Sequence, residues 1–207
     1  MACERCAVGT GPFCGACGAL RPLPAGLSPF AVFGLPERFQ VDETALEARH
    51  RELSRALHPD RFVRASPAEK RRALEWTTAV NDAFRLLLSP EERADFLLKR
   101  RGVDLASESG EAAGRRLSPS FLEAALEERE ALFEAQAEGD HAAAEALAGK
   151  IRARMDENRR RLSDAFSRLE ARSDDEALDA AAACLAHLRY DARFLEEADR
   201  FEMEELD

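Results

Sequence analysis

Leu57-His58-Pro59-Asp60-Arg61-Phe62 is the stretch on which the fold reading turns. Proline fixes its own φ and lacks an amide hydrogen, and it disfavours helix in the residue before it. A helix arriving from the left therefore stops near Leu57. On that side Leu46, His50, Leu53 and Leu57 recur in steps of four, three and four, the spacing of one helix face. Asp42 stands where an N-cap belongs. Arg49, Arg51 and Arg55 fall mostly off the apolar stripe. On the right, Ser66-Pro67-Ala68-Glu69 is a capping box with proline at the first helical position. The helix it opens carries Ala73, Thr77, Val80, Phe84 and Leu87 on one face. The six residues are thus a short bend between two antiparallel helices, with a polar tripeptide at its apex.

The same signals continue outward. A short helix is expected over Pro29 to Phe33, ended by Gly34 and Pro36. Ser89-Pro90-Glu91-Glu92 is a second capping box; it opens a short helix with Ala94, Leu97 and Leu98 inside and Gly102 as its stop. Residues 103–117 are polar and glycine-containing, as in a linker. Ser118-Pro119 starts a long helix through Phe121, Leu122, Ala125, Leu126, Leu132 and Phe133, broken at Gly139-Asp140. The next helix carries Leu147, Ile151, Met155, Leu162, Phe166 and Leu169; after a turn at Ser173-Asp174-Asp175 the last carries Leu178, Ala181, Leu185, Leu188 and Leu195. Long helices with short connections predict an antiparallel three-helix bundle. The expected fold class is all-α.

Composition agrees. Hydrophobic residues make up 45% of the 207, enough for a core, and β-branched residues are scarce, which disfavours sheet. The net charge of -10 argues against a general nucleic-acid binder, which needs clustered positive charge. The charge is uneven: Thr44 to Arg72 carries eight Lys/Arg against four Asp/Glu, and Arg115 to Asp207 fourteen against twenty-four. The first segment suits an acidic partner and the second the opposite. No apolar run is long enough for a bilayer, and no basic-then-apolar leader precedes Cys3. The expected location is the cytoplasm, where thiols stay reduced.

Residues 1–27 lack hydrophobic periodicity and are rich in Cys, Gly and Pro. Cys3-x2-Cys6 and Cys14-x2-Cys17 form two pairs seven residues apart, and four thiolates complete a tetrahedral site. Zinc is the expected ion, in a structural role, because such a site has no open position; iron is the alternative with the same ligands. A pair of disulfides or a reactive tail are the competing readings. Cys184, alone in an alanine-rich helix, is expected to be a small semi-buried residue.

Several of these stretches together resemble the HscB-type J-proteins. They are Phe30-Ala31-Val32-Phe33-Gly34-Leu35-Pro36 with Phe39 and Asp42, His58-Pro59-Asp60-Arg61-Phe62, and Asn81-Asp82-Ala83-Phe84. The series Pro90, Arg93-Ala94, Leu97-Leu98, Gly102 belongs with them, as do Phe121-Leu122, Leu126-Glu127 and Leu188-Arg189-Tyr190. The likeness covers roughly residues 29–207, and the four cysteines are similar to an extension on eukaryotic and some bacterial members. It implies a metal-binding extension and linker over 1–27, a four-helix J-domain over 28–102, a linker over 103–117 and a client-binding bundle over 118–207.

The resemblance also implies a co-chaperone that binds the iron–sulfur scaffold IscU, delivers it to an HscA/DnaK-type chaperone and stimulates that chaperone's ATPase. His58, Pro59 and Asp60 would form the trigger, with Asp60 pairing to an arginine of the chaperone, and Arg49, Arg51 and Arg55 would steer docking. The scaffold site would use Leu122, Leu126 and Tyr190 as anchors, rimmed by Glu127, Glu130 and Glu134. Glu123 stands where the family pattern expects an apolar residue. The competing reading places Leu122, Leu126 and Tyr190 in ordinary bundle core.

No catalytic residue is assigned: the four histidines are scattered, and neither a Gly-rich phosphate loop nor a nucleophile elbow is present. His50 is expected in the core, and His141 and His187 at the surface or half-buried. Two alternatives stay open. One is a J-domain serving a different client through a general DnaK-type chaperone. The other is a zinc-ribbon nucleic-acid adaptor, disfavoured by the lack of basic and aromatic residues around the cysteines. A weak homodimer is a further open expectation.

Overall fold

A computed structural model describes residues 11–105, 117–172 and 174–203. Among these residues the chain forms seven α-helices and no sheet, the one β-pairing being an isolated bridge between Phe13 and Leu20. It divides into two compact units on either side of Arg93–Ala94.

In the first unit, α1 (Pro29–Phe33) and α2 (Glu43–Ala56) both pack against α3 (Pro67–Leu88). The helix starts follow the local chemistry expected of them. Asp42 accepts the Ala45 amide, and Ser66 and Glu69 close a reciprocal capping box at α3. The second Ser-Pro-Glu-Glu signal works by half. Ser89 Oγ accepts the Glu92 amide at 3.2 Å, while the Ser89 amide already donates to the Arg85 carbonyl that ends α3. The helix begun there, α4 (Pro90–Arg100), runs across the boundary between the units. Arg93 is buried, donates to the Leu87 carbonyl and lies over the Phe39 ring at 5.1 Å.

The buried face of α3 is turned from the expected one. Trp76 and Ala83 are buried with Ala73, Val80 and Leu87, and Thr77 and Phe84 are only half-buried. The rotation has a cause. Trp76 is fully buried and its indole Nε1 donates to the Arg21 carbonyl at 2.8 Å. A buried indole needs an acceptor, and the segment before α1 supplies it. His50 is half-buried and not deep in the core; it stacks on Phe84 at 4.0 Å with Nε2 3.1 Å from Asn81 Oδ1.

In the second unit, α5 (Pro119–Glu138), α6 (His141–Ala171) and α7 (Asp175–Met203) pack on one another. Gly139 ends α5 at φ 68°, a left-handed position that glycine adopts without strain, and Asp140 caps α6 through the Ala143 amide. Two residues thus reverse the chain, so α5 and α6 run antiparallel. The buried faces of the three helices are rich in small residues. Ala125, Ala135, Ala144, Ala148, Ala165, Ala181 and Ala182 are buried, which lets the helices approach closely, whereas Leu147, Leu178 and Leu195 are half-buried. Within this unit Arg189 on α7 pairs with Asp95 at 2.6 Å, and Lys99 reaches the same carboxylate at 2.8 Å.

Candidate functional site

The bend between α2 and α3 is a 3₁₀ turn, Pro59–Phe62, with His58 as its N-cap. Proline sits at its first position, where no amide donor is needed. The Asp60 amide donates to His58 Nδ1 at 3.3 Å, and the Arg61 amide to the His58 carbonyl at 3.0 Å. His58 Nδ1 also lies 3.4 Å from Asp60 Oδ2, a contact that becomes an ion pair only when the imidazole is protonated. The backbone is braced, yet the side chains face solvent, 59% exposed for His58 and 85% for Asp60. A carboxylate held this way keeps its charge available to a visiting cation. Beneath the turn, Leu57, Pro59, Phe62 and Ala73 line an apolar hollow with the exposed Val63 and Leu74 at its edge.

Arg49, Arg51 and Arg55 are exposed on α2. Two are engaged within their own helix: Arg49 with Glu52 at 2.6 Å and Arg51 with Glu47 at 3.3 Å. Arg55 donates from Nε to the Arg51 carbonyl. Such exposed pairs are worth little and break readily, so the arginines remain usable by a partner.

On α5, Phe121, Ala125, Leu132 and Ala135 face the bundle, while Leu122 is 37% exposed, Leu126 62% and Phe133 72%. This removes the core reading for Leu122 and Leu126. Tyr190 is half-buried and meets Phe121 edge-on, ring centroids 5.4 Å apart. Glu123, Glu127, Glu130 and Glu134 are all exposed.

Behind this face lies a network that periodicity did not reveal. Arg154 of α6 grips Asp191 of α7 with Nη2 at 2.6 Å and Nε at 3.1 Å, and donates to Glu128 of α5 at 2.9 Å. Lys150 adds a second cation to Glu128 at 3.0 Å. Glu128 and Asp191 are buried, so α5 and α7 each contribute one carboxylate, and α6 the cations, to a pin through the bundle. Burial alone would lower the Arg154 pKa, but the two carboxylates outweigh it and raise it. The same guanidinium sits 5.1 Å above Phe121, whose ring also stacks on His187 at 4.2 Å. Burial pushes the His187 imidazole below its ordinary value, with Asp191 opposing, which favours the neutral ring packed there. The available signal was an acidic residue at a core position of each outer helix, Glu128 and Asp191, with an arginine between them on α6.

Cys3 and Cys6 lie outside the described residues. Cys14 and Cys17 occupy a tight hairpin: the Cys14 amide donates to the Ala19 carbonyl at 2.9 Å, the Gly18 amide to the Cys14 carbonyl at 2.8 Å, and the Arg21 amide to the Pro12 carbonyl at 2.8 Å. Gly18 takes φ 67° at the turn. Cys14 is buried and Cys17 exposed. Two of the four cysteines of the expected quartet thus share one hydrogen-bonded turn. Cys184 is buried, and desolvation raises its thiol pKa, which makes it a poor nucleophile. No helix among the described residues is long and apolar enough to cross a membrane.

A family model described as the HSCB C-terminal oligomerisation domain matches residues 117–199. The chain is 42% identical over 137 residues to a co-chaperone protein HscB homolog of Azoarcus sp. (strain BH72), covering 66% of this chain and 75% of the relative. It is 39% identical over 153 residues to the Burkholderia multivorans homolog, covering 74% and 83%. Its fold is similar to the crystal structure of human co-chaperone protein HscB, with TM-score 0.77 and 28% identity over 93% of this chain and 91% of that one. It is also similar to chaperone HscB from Vibrio cholerae, with TM-score 0.67 and 30% identity over 86% and 98%.

Proposed function

This chain belongs to the HscB family of co-chaperones, and from that premise we propose that it presents an IscU-type iron–sulfur scaffold to an HscA/DnaK-type chaperone and stimulates the chaperone's ATPase. The chemistry takes place in the partner's active site. The observation that carries this reading is the exposed Asp60 carboxylate on a 3₁₀ turn whose backbone is already fixed by Pro59 and His58. A preorganised loop loses little entropy on docking, so more of the contact energy is available to shift the chaperone's conformation. In this reading residues 28–102 act as the J-domain, with His58, Pro59 and Asp60 the trigger. Arg49, Arg51 and Arg55 exchange their weak helix pairs for an acidic chaperone surface.

Residues 118–207 hold the client. Leu122, Leu126 and Tyr190 are the apolar anchors and Glu127, Glu130 and Glu134 the charged rim. The Arg154 network fixes Phe121, and through it Tyr190, so the anchors are set before the scaffold arrives. We assign Cys3, Cys6, Cys14 and Cys17 to one structural zinc ion, with iron as the competing occupant and the cytoplasm as the location. The metal would supply folding energy on the order of 10 kcal/mol to a segment with little core of its own.

A steady-state ATPase assay with the purified chaperone, with and without scaffold, tests this proposal. Wild-type protein should stimulate turnover, and more so with scaffold. His58→Gln should lose stimulation and keep scaffold affinity. Full stimulation by His58→Gln, or none by the wild type with any DnaK-type chaperone, would reject it.

A further inference from the structure

We infer that Phe133 is a further anchor of the client surface, which runs the length of α5 and takes a partner with an apolar patch bordered by basic side chains. The inference rests on the reading that the α5 face receives the scaffold. At 3.6 residues per turn, Leu122, Phe133 and Leu126 fall within about 40° of arc, with Phe133 between the two leucines. Single exposed apolar residues need no explanation, but three on one line of one helix do. Phe133 is also the most exposed of them at 72%, although it carries the largest apolar surface of the three. Along the axis it stands about 10 Å beyond Leu126. A contact seated only at the Leu122 and Tyr190 end would leave it bare.

The two edges of the stripe identify the partner's chemistry. On one edge Glu123, Glu127, Glu130 and Glu134 are exposed, and among the described residues none is paired with a cation. On the other edge Arg129 is taken up by Glu197 of α7 at 2.9 Å. The stripe is therefore apolar with one acidic border and no free cation beside it on α5. That pattern repels phosphate-bearing surfaces and suits a protein whose apolar patch is bordered by Lys or Arg on one side.

Scaffold affinity of Leu126→Ala and Phe133→Ala, measured by calorimetry beside sedimentation velocity of each protein alone, tests the inference. Both variants should raise the Kd about tenfold or more, in line with buried interface anchors, with thermal midpoints unchanged and Phe133→Leu largely restored. If Leu126→Ala weakens binding and Phe133→Ala does not, the inference fails and the function proposed above stands. If neither does, both fail. If Phe133→Ala instead turns a dimer into a monomer at unchanged scaffold affinity, the stripe serves a second copy of this chain, and the inference fails.

Discussion

Between α2 and α3 three consecutive residues stand in solvent on a turn fixed by its own neighbours. On α5 the exposed apolar residues are spread over three turns of helix, and the helix that carries them is tied from behind through Glu128 to Arg154, which also holds Asp191. The first site is nearly all local: a proline, an imidazole accepting an amide two residues on, and helix caps either side. The second is long-range, its support coming from Arg154 and Asp191. A local site tolerates distant change and fails with its own residues. A long-range site can fail from behind while every contact residue is intact.

The contrast can be broken most severely at Asp60. Asp60→Asn keeps the shape and the backbone amide's hydrogen bond to His58 Nδ1 while removing the charge. Stimulation of the chaperone ATPase should vanish, with scaffold affinity and thermal midpoint unchanged. Loss of scaffold binding as well would show that the two sites are not separable. Arg154→Met comes next, because it leaves the buried Glu128 and Asp191 carboxylates without that partner. Breaking such a pair costs about 3–5 kcal/mol, so denaturant unfolding of the three-helix unit should move by that order while stimulation measured without scaffold persists. An undisturbed unfolding curve would mean the network is ornament to a bundle held by its alanine and leucine contacts.

The double variant Leu122→Ala, Leu126→Ala should cost about 2–4 kcal/mol of scaffold affinity with the fold retained. Cooperative unfolding at lower denaturant would show instead that these exposed side chains support the bundle. The smallest effect concerns the segment before α1. Trp76 is the chain's one tryptophan and bonds to Arg21 just beyond the cysteine hairpin. Removing metal with a chelator should shift its emission to the red. Trp76→Phe should cost about 1 kcal/mol for the lost hydrogen bond. Unchanged emission would detach the cysteine hairpin from the packing around Trp76.

The amino-acid sequence alone determined the helix starts, the helix stops and the turn at Pro59–Phe62. Ser66 with Glu69, Asp42 with Ala45, Gly139 with Ala135 and Gln136, and His58 with Asp60 all act on partners two to four residues away, so their effect is written in consecutive letters. Tertiary structure alone decided which sides of those helices are buried and which are offered outward. Periodicity marked Leu126 and Leu132 alike as apolar positions of one helix, yet one is exposed and the other buried. It passed over Trp76, whose acceptor lies 55 residues earlier, and Glu128, whose guanidinium lies 26 residues later. Apolar spacing shows that a face seeks cover. Whether another helix of the same chain supplies that cover, or a different molecule, depends on long-range packing that no local window contains.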